Sequence, residues 1–110
     1  MTGKKFDPDY RILETMYEDD YYPEACVDKV AELIGKLIAY LEQGGHTGRD
    51  IQAKLDEITA GINDLETDFE EHDSEIETVA RESIGSTVSY IIDYFGIDID
   101  IEEALREREW

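Results

Sequence analysis

The side chains of this chain best placed to do chemistry are acids. Asn63–Glu82, NDLETDFEEHDSEIETVARE, holds nine Asp or Glu residues, and no Lys or Arg stands between Lys54 and Arg81. Carboxylates at this density could hold a divalent cation, share a proton as an acid–base pair, or meet a basic protein. The first two need companions. An EF-hand loop needs a central Gly, which DLETDFEEHDSE lacks, and that stretch falls on a predicted helix. A di-iron bundle needs Glu-x-x-His on two helices, but Gln43 precedes His46 and Phe69 precedes His72 at that spacing. An acid–base pair needs one carboxyl raised by apolar burial, and these acids lie in polar stretches.

Other chemistries fare no better. Cys26 and the serines have no base at recognisable spacing. EQGGHTGRD lacks both the spacing and the Lys of a phosphate-binding loop. The expectation is a non-enzymatic chain with no catalytic, cofactor-binding or structural-metal residues. Only weak, exposed cation binding at Glu70, Glu71, Asp73 and Glu75 stays chemically open.

Charge narrows the partner. Against 29 acids stand 10 bases, a net charge of −19 over 110 residues. Such a field repels nucleic acid and anionic membranes and attracts basic proteins. A single Cys cannot form an internal disulfide, which fits a reducing cytoplasm. No apolar run approaches bilayer length, and no signal-peptide core follows the N-terminal lysines. The length suits one domain, 1–110.

The elements that would position the acids read as helices. Asp7 as N-cap with Pro8 at the first helical position predicts a short helix to about Tyr17. Pro23 opens a second, with Val27, Val30, Ile34, Leu37 and Leu41 as its buried stripe and Gly44–Gly45 as its stop. Thr47 and Asp50 read as a capping box for a third, whose seam runs Ile51, Leu55, Ile58, Ile62, Leu65, Phe69. That seam permits a monomer or a homodimer. Ser74 with Glu77 reads as a box opening a fourth helix along Ile76, Ala80, Ile84, Val88, Ile91 and Phe95, stopped by Gly96. Asp100 with Glu103 opens a last helix towards Trp110. The fold expected is all-α, an antiparallel bundle of four to five helices.

This frame divides the acidic run. Glu75 and Glu77 would sit in the first turn of helix four, where the dipole favours anions, and Glu77 could pair with Arg81. Asp68, Glu70 and Glu71 would end helix three, where each acid is misplaced and costs a few tenths of a kcal/mol. Acids placed against a local rule without compensation point to function. Upstream, MYEDDYYPE sets Tyr17, Tyr21 and Tyr22 among Asp19, Asp20 and other acids, a composition suited to an interface. The candidate partner-binding set is therefore Asp64, Asp68, Glu70, Glu71 and Asp73 with Tyr17, Asp19, Asp20, Tyr21 and Tyr22.

NDLETDFEEHDSEIETVARESIG, MYEDDYYPE and the terminal REREW together resemble a family of small acidic bacterial helical proteins of unknown function. The resemblance implies a bacterial, cytoplasmic, stand-alone protein and carries no functional residue. Size and charge are also similar to those of immunity proteins that neutralise toxins. The expected function is an immunity-type inhibitor holding an acidic face against a basic target protein, which could be a toxin. The alternatives are a nucleic-acid mimic that occupies a DNA-binding protein, and a bundle whose charge serves only solubility.

Overall fold

The computed structural model describes residues 4–110, and these fold as an all-α protein. Its helices are α1 (Glu14–Glu18), α2 (Glu24–Gln43), α3 (Gly48–Asp64), α4 (Glu66–Glu71), α5 (Thr78–Tyr94) and α6 (Ile101–Ala104). The α2 stripe is buried as its spacing requires, with Cys26 beside it. Gly44 and Gly45 take φ of +71° and +76°, conformations open to glycine, and end α2. Thr47 and Asp50 close a complete capping box on α3, so a four-residue turn folds α3 back along α2. Gly61 has a packing reason: a Cβ there would lie 3.0 Å from a methyl of Leu33 on α2.

Four boundaries differ from the sequence reading; at three of them a tertiary partner outbids a local signal, and at Leu65 the chain tightens locally. Residues 6–13 do not form a helix from Asp7. The Asp7 carboxylate accepts from the Asp9 N–H (2.9 Å) and from the Tyr90 hydroxyl (2.7 Å). Tyr10 stacks on Tyr90 at 3.9 Å, and Phe6 packs among Tyr90, Tyr94 and Phe95. The strap ends at Leu13, fully buried at φ +56°, whose N–H donates to the buried Thr87 hydroxyl.

Helix three is interrupted at Leu65. Its N–H reaches back only to the Ile62 carbonyl, a tightened turn, and α4 restarts beyond it with Phe69 fully buried. The fourth predicted helix starts at Thr78 rather than Ser74. Asp73 adopts φ +58°, and the Ser74 and Asp73 N–H groups reach Phe69 and Glu70 carbonyls, a Schellman closure of α4. Ser74 is thereby buried, and its hydroxyl donates to the Tyr21 carbonyl instead of capping α5.

The last helix is one turn, with the Asp100 side chain accepting from Glu102 N–H. The tail beyond it is held by side chains of α3. Arg106 grips Asp56 through Nε (3.1 Å) and Nη2 (2.6 Å). Asn63 donates to the Glu107 carbonyl and accepts from the Glu109 N–H. No helix among the described residues is long and apolar enough to cross a membrane.

Candidate functional site

The 19–22 turn and the 72–77 connection lie against each other. Asp19 accepts from the Tyr21 N–H through its side chain and from the Tyr22 N–H through its carbonyl, a tight turn that aims the two rings apart. Tyr22 goes inward: it is 6% exposed and meets Phe69 edge-on at 6.3 Å. Its hydroxyl accepts the Ala80 N–H at 3.1 Å. Glu77, at the N-cap of α5, makes no side-chain cap bond. Tyr22 thus satisfies an orphan donor of the first turn of α5 from a distant part of the chain. The expected partner-binding role of Tyr22 gives way to a structural one, because core and cap claim both its ring and its hydroxyl.

Tyr21 goes outward and is 42% exposed. With Asp19, Glu77, Thr78, Val79 and Arg81 it lines an open groove of about 430 Å³. Val79, 39% exposed, stands one position off the buried α5 stripe. Partial burial, then the charges of Glu77 and Glu75, hold the Tyr21 hydroxyl above the usual tyrosine range.

Tyr17, 41% exposed, is not free in the same way. Its hydroxyl donates to Asp28 on α2 at 2.6 Å, and its pKa rises to about 12, through burial first and that bond second. Asp20 is exposed on the turn, and Asp64, Glu70, Glu71 and Asp73 are exposed along α3, α4 and the connection.

Asp68 is corrected more sharply. It lies in the first turn of α4 and pairs with Lys29 of α2 at 2.5 Å. That bond is the main reason the Lys29 ammonium is held above its usual range. A compensating cation exists; only tertiary structure supplies it. Glu70 and Glu71 make no ion pair among the described residues. Nor does Glu77 pair with Arg81, whose guanidinium donates to the Thr78 hydroxyl (3.2 Å).

Beside this face, Glu66, Glu70, Glu75 and Glu109 with Ile76, Arg81 and Trp110 surround a hollow of about 250 Å³. Burial, then the charges of Glu70, Glu109 and Glu75, raises the Glu66 carboxyl above the ordinary range. The Trp110 Nε1 is buried without a hydrogen-bond partner. Among the described residues no three His, Cys, Asp or Glu converge to hold a metal ion.

The sequence offers Cys26 no base at recognisable spacing and gives His72 no role. In the fold the two meet, with Sγ 3.7 Å from Nδ1. The pair is not an activated thiol. His72 Nδ1 lies 2.8 Å from the Asp68 carbonyl, which can only accept, so this nitrogen carries a proton and cannot take one from Cys26. Burial, then the Asp68 charge, pushes the thiol up, opposite to what nucleophilic activation needs.

Fold and face together define a small all-α protein with an acidic, tyrosine-edged surface. The chain belongs to a family of unknown function, DUF5713, whose model matches residues 6–110. No curated protein matches the chain, and no solved structure does.

Proposed function

We propose that the chain is a non-enzymatic protein-binding module, an immunity-type inhibitor that holds its acidic face against a basic target, such as a toxin, in the cytoplasm. One observation carries this reading: Glu70, Glu71 and Glu77 are exposed and make no ion pair among the described residues, and Glu77 shares a groove with the exposed Tyr21 and Val79. Unpaired carboxylates repel each other and contribute nothing to the fold. An exposed aromatic and a branched aliphatic side chain supply apolar area that a partner can dehydrate. The carboxylates would steer a basic surface towards that area.

The test is capture of the target on the immobilised protein, followed by association kinetics with the variant Glu70→Lys/Glu71→Lys/Glu77→Lys. Association should slow by about tenfold or more at low ionic strength, with the gap closing as salt is added. The circular dichroism melt should stay that of a folded protein. An unchanged association rate would sink the proposal, and release of the target by competing DNA would favour nucleic-acid mimicry instead.

A further inference from the structure

We infer that the groove between the 19–22 turn and the start of α5 is a socket for an arginine side chain of the basic partner. This rests on the binding reading above and names the anchor within it. Among the described residues the large apolar or aromatic side chains left exposed are Tyr17, Tyr21 and Val79, and the last two share this groove. Tyr21 and Val79 give the groove its exposed apolar wall, and Asp19 and Glu77 line it with carboxylates. That pairing suits a group that is cationic at its edge and weakly hydrated on its face.

Guanidinium meets both conditions. It stacks on aromatic rings while its N–H groups fork towards carboxylates, whereas the ammonium of lysine is compact and strongly hydrated. The hollow beneath Trp110 holds more carboxylates but no large apolar side chain that is exposed, so it offers charge without a wall. Arg81 supplies the opposing charge in the groove. Its guanidinium leans on Thr78, and with the amino-terminal end of α5 it would favour an anion. Asp19 and Glu77 together outweigh that single charge, so the groove takes a cation.

The experiment titrates the ¹⁵N-labelled protein with octa-arginine and with octa-lysine at physiological ionic strength, following amide shifts. Octa-arginine should bind about three- to tenfold more tightly than octa-lysine, from the strength of exposed cation–aromatic contacts. The largest shifts should fall on Tyr21, Thr78, Val79 and Arg81. Tyr21→Ala should abolish the preference for arginine, Tyr21→Phe should retain it, and Arg81→Gln should tighten binding. Equal affinities with shifts spread over the acidic surface overturn the socket and leave the basic-partner reading standing. Weaker binding by Arg81→Gln also overturns the socket, assigning the groove to an anion. Failure of both peptides to bind removes the basic-partner reading, and the socket with it.

Discussion

Two acid-rich regions of this molecule carry similar residues to opposite ends. Where α3 meets the C-terminal tail, carboxylates are neutralised: Asp56 accepts from Arg106 and Gln52, Glu103 from Arg106, and Glu102 from Arg108. Around α4 and the connection to α5, Glu70, Glu71 and Glu77 have no such partner, and Asp68 is the exception through Lys29. The titration behaviour divides in the same way. The Arg106 hydrogen bond draws the Asp56 carboxyl below the ordinary range, while burial among other acids pushes the Glu66 carboxyl above it. Acid density therefore does not tell structural carboxylates from available ones. What tells them apart is the sign of the nearest charge, and that neighbour usually comes from another helix.

The boundary between the two regimes passes through adjacent tyrosines, and the largest effect lies there. Tyr22→Phe keeps the packing on Phe69 but leaves the Ala80 N–H unsatisfied at the start of α5. It should cost about 1–2 kcal/mol, the range for losing a helix cap or exposing a buried donor. Urea unfolding measures it. A cost indistinguishable from zero would mean that the Tyr22 hydroxyl does not cap α5. The second contrast compares carboxylates directly. Asp56→Ala should destabilise by about 1 kcal/mol, the low end for hydrogen bonds to charged groups because the pair is partly exposed. Glu71→Ala should be neutral or slightly stabilising. Equal losses from the two would erase the distinction.

Legibility in the sequence followed the range of the interactions. The stripes of α2 and α5, the Gly44–Gly45 and Gly96 stops and the Thr47–Asp50 box are written within a few residues of one another, and all appear in the fold. Asp7–Pro8 and Ser74–Glu77 carry start signals of the same local kind and fail. Phe6 and Tyr10 are claimed by rings on α5, and Ser74 by the carbonyl of Tyr21. The candidate face was legible in part. Its acids and Tyr21 stood out, but Lys29, which removes Asp68 from it, lies on α2 with no local hint of the pairing. Val79 was hidden because periodicity reports what is buried and passes over an apolar residue one step off the stripe.

The smallest effect sharpens the comparison through pH. A carboxyl whose folded pKa is raised binds its proton more tightly in the folded state. It opposes folding at neutral pH, and that opposition fades as pH falls through the raised value. Glu66 therefore makes stability rise as pH drops from neutral towards the ordinary glutamate value of 4.5. Asp56 acts in reverse. Its folded pKa lies below the ordinary 3.8, so its stabilisation is present above that value and is lost as pH falls through the lowered one. The melting temperature should accordingly pass through a maximum between these limits. Glu66→Gln should flatten the rise on the neutral side and leave the acid-side fall in place, while Asp56→Asn should soften the acid-side fall and leave the rise. Thermal melts of the three proteins across pH separate the effects, because the repulsion among the remaining acids is common to all of them. If Glu66→Gln follows the parent profile between neutral pH and 4.5, then burial among acids does not distinguish this carboxylate from an exposed one, and the contrast between the two regions reduces to the pairing of Asp56 alone.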